Sequence, residues 1–353
     1  MKADMSKAET SIDPGAAGAA RPVHAMSLVV PVYQGERTLE ALVAEVEPLV
    51  AGAATPGGRR FQVAELIFVH DGAVDGSHRV MEALARRHGF VRLIWLSRNY
   101  GQHPATLAGM ASSAAEWVVT LDEDGQQNPA DIGAMLDVAL NEGVPLVYAQ
   151  ATNEPPHGWL RNFFSATVKW LFVRMLGNRL IGRFNSFRLM DGEIARSLAA
   201  YCGSEVFLDV ALSWVVRESA PCPVSLRDER GRRSGYTYKR LFEHMWRMLL
   251  TSGTKPLRLI SMLGGLSVVL GLAISAFALY EKLTTHVPVQ GWTSLTVLVC
   301  LFSGVILFAL GVIAEYVGVT LRMAMGRPLY LIVSKPSHKE RDRAPRDQEV
   351  KPA

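Results

Sequence analysis

The sequence predicts an α/β domain with a mostly parallel sheet, followed by amphipathic helices and two membrane-spanning helices. Three observations predict it. Short β-branched or apolar runs alternate with longer segments of helical period between residues 27 and 150, a pattern that builds parallel strands joined by crossover helices. Two long uncharged runs stand near the C-terminus. Mean hydropathy is positive, at +0.15, with 49% hydrophobic and 20% charged residues among 353. Such a composition excludes a wholly disordered chain, and the two runs exclude a purely soluble one.

Residues 1–25 are rich in Ala, Gly and polar groups and lack the apolar core of a signal peptide, so we expect a disordered N-terminal tail. The α/β domain follows, over 26–235. Its strands are expected at Ser27–Tyr33, Glu65–His70, Val91–Ser97, Trp117–Asp122 and Pro145–Gln150. In open α/β sheets ligands gather beyond the carboxyl ends of the strands, which places Tyr33, Asp71, Arg98 and Asp122 at the expected site.

Trp159–Leu176 spaces Leu160, Phe163, Phe164, Val168, Leu171 and Phe172 at helical intervals, with Arg161, Lys169 and Arg174 among them. Tyr238–Leu250, in a segment taken as 236–256, repeats the pattern with Leu241, Phe242, Met245, Trp246 and Leu249. Such helices lie in a headgroup plane or pack on a protein core, and periodicity does not separate the two. The neighbouring spans favour the interfacial reading.

Leu259–Tyr280 gives 22 residues without a formal charge and Leu295–Ala314 gives 20, each long enough for a hydrocarbon core of about 30 Å. They define a two-helix membrane unit over 257–318 and a cytoplasmic tail over 319–353. The loop between them carries only Glu281 and Lys282, whereas Arg230, Arg232, Arg233, Lys239, Arg240, Arg247, Lys255 and Arg258 precede the first run and Arg322, Arg327, Lys335 and Lys339 follow the second. This bias places both flanks, the α/β domain and both termini in the cytoplasm.

The net charge of +4, from 37 Lys and Arg against 33 Asp and Glu, gives no ground for a nucleic-acid partner. Cys202, Cys222 and Cys300 fall in no metal-ligand or paired spacing, so free thiols in a reducing compartment are expected.

Asp122-Glu123-Asp124 ends the fourth expected strand, and Gly125, Asn128 and Pro129 follow. Carboxylates at i and i+2 on a strand end suit a hard divalent cation with open positions for phosphate oxygens; in isolation a solvated turn explains them better, and their place at a strand end of an α/β unit favours the cation. Asp71 to Ser77 is a Gly-containing turn after the second strand. There Asp71 can accept from a base or ribose, and Asp75 or Ser77 can cap the next helix. His103, before Pro104, sits where a helix should begin. Arg230 to Gly235 sets guanidinium forks and a hydroxyl beside the membrane, suited to phosphate or to orientation alone.

In combination these residues resemble a family. Pro31-Val32-Tyr33, Asp71-Gly72-Ala73-Val74-Asp75-Gly76-Ser77, Ser97 to His103, Leu121 to Gln126, Phe187 to Asp191, Ser234-Gly235-Tyr236, Glu315-Tyr316 and Gly326 to Tyr330 occur in the order seen in polyprenyl-phosphate glycosyltransferases. These are family 2 enzymes similar to dolichyl-phosphate mannose synthase. The resemblance covers about Met26 to Lys335. It implies a GT-A fold and inverting transfer from a UDP- or GDP-sugar to undecaprenyl phosphate on the cytoplasmic face of a bacterial inner membrane, supplying a lipid-linked sugar for envelope glycan or lipid A modification. It further implies Mg²⁺ or Mn²⁺ at Asp122, Asp124 and Gln126, with the two aspartates catalytic. Pro31, Tyr33, Asp71, Arg98, Asn99, Gln102 and His103 would contact the nucleotide sugar. Arg161, Arg188, Arg230, Arg233 and Ser234 would lie near the acceptor phosphate. Membrane lipid is then a partner, and a flippase and a second copy of the chain are further ones to test.

The chain departs from the family pattern at His70, Gly35 and Glu123, which points to an unusual donor or to reduced activity. Two other functions compete. A processive polysaccharide synthase would carry Gln-Xaa-Xaa-Arg-Trp, which this sequence lacks; a degenerate, non-catalytic nucleotide-sugar-binding membrane protein would share the same departures.

Overall fold

The computed structural model describes residues 22–152, 184–203, 207–227, 291–326 and 328–335, with scattered residues between 262 and 284. All five expected strands form: β1 (Val23–Val32), β3 (Arg60–His70), β4 (Val91–Leu96), β5 (Trp117–Thr120) and β6 (Leu146–Ala151). Four more join them, β2 (Ala53–Ala54), β7 (Arg188–Asp191), β8 (Ala220–Val224) and β9 (Ile332–Val333). Among the described residues they make one sheet of order β8-β6-β7-β5-β1-β3-β4-β9, with β2 paired to β3. β1 is parallel to β3 and β5, β3 to β4, and β6 to β8. β7 runs antiparallel between β5 and β6, and β9 antiparallel along β4.

The central strands read as unbroken apolar runs because helices cover both faces. On one face Leu28, Val30, Phe68 and Val119 pack with Leu42 and Val46 of α1 (Leu39–Val50), Met81 and Leu84 of α2 (Ser77–Arg87) and Met135 and Leu136 of α4 (Ile132–Glu142). On the other, Val29, Ile67, Val69 and Val118 meet Leu107 and Met110 of α3 (Gln102–Ala111), Leu198 of α5 (Gly192–Tyr201) and Leu212 of α6 (Leu208–Val215). Each such buried side chain contributes roughly 1.5–3 kcal/mol. His103 lies in the first turn of α3, where Pro104 predicted a helix start. Ahead of α2, Asp75 accepts the Ser77 N–H at 3.1 Å.

Helix α7 (Trp292–Ala324) contains the second expected span and runs ten residues beyond its end. Its stretch Phe302–Ala324 is apolar and long enough to cross a membrane. Leu307, Phe308 and Leu310 are exposed, so this is not the core helix of a soluble domain. The sequence predicts two spans; among the described residues one helix meets the length and hydropathy requirement. Of the first run, Leu259–Tyr280, only scattered residues between Met262 and Tyr280 are described, and Trp159–Leu176 and Tyr238–Leu250 lie entirely outside the described residues. β1 begins at Val23, within the expected N-terminal tail, and β9 arises from the expected C-terminal one. Beside β9, Leu329 and Tyr330 pack on the second core, and the Ser97 N–H donates to the Leu331 carbonyl at 2.9 Å.

His70 ends β3 with 2% exposure, and neither ring nitrogen has a partner among the described residues. Its ring lies 4.9 Å from that of Trp95. Burial, and then the neighbouring His78, push it down from 6.5 to about 4, against a smaller pull from Asp75. Between those values the unfolded chain binds more protons than the native one, so stability falls as pH drops from about 6.5 to about 4. Thermal unfolding of the detergent-solubilised protein across that range should show the midpoint falling by several degrees, and His70→Phe should flatten the slope. An unchanged slope in the variant would assign the loss to other groups.

Candidate active site

Parallel β1, β3, β4 and β5 end on one edge of the sheet, so Tyr33, Asp71, Arg98 and Asp122 leave it together. Asp71 is buried, and its two carboxylate oxygens accept the Tyr100 N–H at 2.6 Å and the Gly101 N–H at 2.8 Å. Burial pushes this carboxyl up and the two N–H groups oppose it. Asp71 therefore folds the β4–α3 loop. That loop presents Arg98 and Asn99 to solvent, with the Arg98 guanidinium 4.4 Å above the Tyr100 ring. Gly72, at φ +62°, makes the approach feasible, since a Cβ there would lie 2.7 Å from the Asn99 nitrogen.

Asp122 is held from three sides. Gln102 Nε2 donates to its Oδ1 at 2.6 Å; Gln127 Nε2, at 2.8 Å, and the Ser186 hydroxyl donate to its Oδ2. Gln127 Oε1 also accepts the Asp122 N–H at 2.9 Å. Burial pushes the Asp122 carboxyl up, and the Ser186 hydrogen bond is the largest opposing influence; Asp124 adds to the rise. Asp124 Oδ1 accepts the Gln126 N–H at 3.0 Å, closing the turn. Gln126 takes part through its backbone, its carbonyl also accepting the Arg227 N–H at 2.9 Å. Pro31, next to last in β1, is half-buried and pairs with Val69 of β3, and the His103 ring stands edge-on to Phe207 at 5.1 Å.

Glu123, between the aspartates, accepts the Tyr33 N–H at 2.9 Å and the Gln34 N–H at 2.8 Å. In the sequence it stands only as a departure from a pattern. Gln127 and Ser186 escape sequence reasoning as well. Ser186 is 64 positions from Asp122, and no local pattern links the two.

Arg188 is expected near the acceptor phosphate. The structure places it on β7 with its side chain 4% exposed, donating to Asp209 of α6, which also accepts the Tyr148 hydroxyl at 3.0 Å. Its charge is thus engaged inside the protein. Burial pushes Asp209 up, and Arg188 pulls it back. Arg161, Arg230, Arg233 and Ser234 lie outside the described residues.

The sequence pattern of Glycosyl transferase family 2 matches residues 27–193, which contain both aspartates and every loop above. The chain is 31% identical over 329 residues to an uncharacterized glycosyltransferase, YkcC, of Bacillus subtilis, covering 92% of this chain and 98% of that one. It belongs to glycosyl transferase family 2. This glycosyltransferase is also 29% identical to the undecaprenyl-phosphate 4-deoxy-4-formamido-L-arabinose transferase of Pseudomonas paraeruginosa, over 88% of this chain and 90% of that one. Among solved structures, glucosyl-3-phosphoglycerate synthase of Mycobacterium tuberculosis, in complex with Mn²⁺, UDP-glucose and phosphoglyceric acid, superposes with a TM-score of 0.48 and 18% identity, covering 66% of this chain and 79% of that one.

The residues of this family 2 enzyme fit a divalent cation. Each carboxylate oxygen can accept two hydrogen bonds. Asp122 Oδ2 accepts two and Oδ1 one, which leaves Oδ1 a lone pair for a cation. Asp124 uses Oδ1 for the turn, and its Oδ2 has no hydrogen bond among the described residues. Among those residues no third His, Cys, Asp or Glu joins the pair in a metal-holding cluster. Two oxygen donors leave positions that a diphosphate and water can fill, the requirement of Mg²⁺ or Mn²⁺ at a phosphate site.

Proposed function

We propose that the enzyme moves a sugar from a UDP- or GDP-sugar to undecaprenyl or another polyprenyl phosphate at the cytoplasmic face of the membrane, with inversion. One observation carries the reading. The apolar exposed helix α7 returns through β9 to the edge of β4, beside the loop that bears Arg98 and Asn99. The site with the paired aspartates is thereby tethered to a segment suited to lipid, where a phosphate on a polyprenyl chain is available.

The same pairing supports two crossings. β9 holds the C-terminal end of α7 in the compartment of the sheet, so a spanning α7 starts on the opposite face. The chain must reach Gly291 from Arg227 by an odd number of crossings, and Leu259–Tyr280 is the uncharged run between them. Single cysteines at Glu281 and Lys335, in a chain with its own three cysteines replaced, should react with an impermeant thiol reagent from opposite faces. Labelling of both from one face would remove the two-span reading.

In the mechanism, Asp71 holds the β4–α3 loop against the donor, Arg98 and Asn99 contact the nucleotide sugar, and Asp122 and Asp124 hold the cation. The cation, when bound, supplies charge stabilisation for the departing nucleoside diphosphate. The acceptor phosphate is largely ionised near neutral pH, its second pKa being about 6. It attacks the anomeric carbon without a strong general base from the protein. The Pseudomonas relative supports a polyprenyl acceptor, and the aspartate pair supports the ion. Incubating purified protein with undecaprenyl phosphate, Mg²⁺ or Mn²⁺ and a panel of UDP- and GDP-sugars tests the reading. Mass spectrometry should find one sugar per lipid phosphate; a polymer, or no product from any donor, would overturn it.

A further inference from the structure

Two of the departures from the family pattern, Gly35 and Glu123, meet in space. The Glu123 carboxylate takes the N–H groups of Tyr33 and Gln34, one on each oxygen. The next two N–H groups of the same loop are also held by side chains, Gly35 by the Ser77 hydroxyl at 2.9 Å and Glu36 by Asp75 at 3.2 Å. In return, Glu36 accepts the Gly76 N–H at 3.0 Å. Four consecutive amides between β1 and α1 are therefore fixed to the aspartate turn and to the turn before α2. Position 35 has little room, since a Cβ there would lie 2.9 Å from Glu123 Oε2 and 2.9 Å from Leu39 Cγ.

We propose that Glu123 is a positioning residue for the donor, and that Gly35 is the residue that admits its carboxylate. The clamp joins the turn carrying Asp122 and Asp124 to the loop carrying Tyr33, so the cation-binding and nucleotide-binding halves of the site are held in one arrangement before the donor arrives. Pre-organised loops bind more tightly because less ordering remains to be done on binding. The Glu123 oxygens are occupied by amides, which gives this acid a task different from that of the aspartates beside it. The inference rests on the donor-binding reading of this site.

The test compares the wild type with Glu123→Ala, Gly35→Ala and the double variant, reading donor KM and kcat at saturating metal together with amide hydrogen exchange of the peptide covering residues 31–36. Glu123→Ala should raise donor KM about tenfold, corresponding to about 1.4 kcal/mol, with a smaller change in kcat and faster exchange at Tyr33 and Gln34. Gly35→Ala should raise KM in the wild-type background and add under threefold to Glu123→Ala, because the crowding against Leu39 is common to both backgrounds and the Glu123 contact is not. Unchanged exchange in Glu123→Ala would overturn the clamp. Faster exchange with an unchanged donor KM would overturn its positioning role, and so would a shift confined to the metal activation constant. If the wild type itself makes no product, the functional reading fails, and amide exchange alone then decides the clamp.

Discussion

Asp124→Asn should lower transfer at saturating donor and metal by roughly 10³-fold while leaving the protein folded, since a cation at a leaving group contributes several kcal/mol. The substitution isolates the charge because the Asn carbonyl can still accept the Gln126 N–H that Asp124 Oδ1 accepts at 3.0 Å. The turn survives and only the charge is lost. A thermal midpoint within about a degree of the wild type, with product formation near background, is the expected pair of results. Turnover near the wild-type rate in the folded variant would remove the cation from Asp124. Asp122→Asn should behave differently. Its amide must place an NH₂ group either against Gln102 Nε2 or against Gln127 Nε2 and the Ser186 hydroxyl, all of which now donate to the carboxylate. A donor facing a donor in a half-buried place costs about 1–3 kcal/mol, so this variant should lose stability as well as activity.

Asp209→Asn should destabilise the protein more than either change at the aspartate turn. It leaves the Arg188 guanidinium, 4% exposed, without its counter-ion, and stranding a buried charge costs about 3–5 kcal/mol. For a domain of this size that corresponds to a fall of roughly 10 °C in the thermal midpoint. Replacing both partners, Arg188→Met with Asp209→Leu, should recover part of the loss, because two apolar side chains need no desolvation of charge, while the buried Tyr148 hydroxyl left without its acceptor keeps back about 1–3 kcal/mol. The double variant also separates two roles for Arg188. If the guanidinium serves only the fold, transfer returns with stability; if it also faces the acceptor phosphate, stability returns and acceptor KM stays high.

These residues are unequally legible in the sequence. Asp122 and Asp124 stand two apart at the end of an apolar run within an α/β pattern, and it is that context, more than the spacing, that suggests a cation site. Arg188 falls near the acceptor by its position in a family pattern, but its burial depends on Asp209 and Tyr148, from two other elements. No local pattern reports the charge that lies across a fold. The same limit applies to Glu123, whose partners at Tyr33 and Gln34 lie 90 and 89 positions away. From sequence it is only an unexpected acid between two others.

The strands show the same division. β1, β3, β4, β5 and β6 are legible because a strand buried on both faces must be apolar throughout. β2 and β9 have two residues each, too short for any periodicity to mark them. β8 contains Pro221 and Pro223, a composition that argues against a strand, yet it pairs with β6 over five residues.

The sequence by itself determined the α/β class, the strand-end carboxylates and the apolar length near the C-terminus, because each is a property of neighbours along the chain: period, spacing and run length. Tertiary structure decided which side chains hold Asp122, that Glu123 ties two loops together, that Arg188 faces inward, and that the chain returns after α7 to the edge of β4. Those outcomes depend on burial and hydrogen-bond satisfaction between segments tens to hundreds of residues apart, and these are settled only when the sheet brings the segments together.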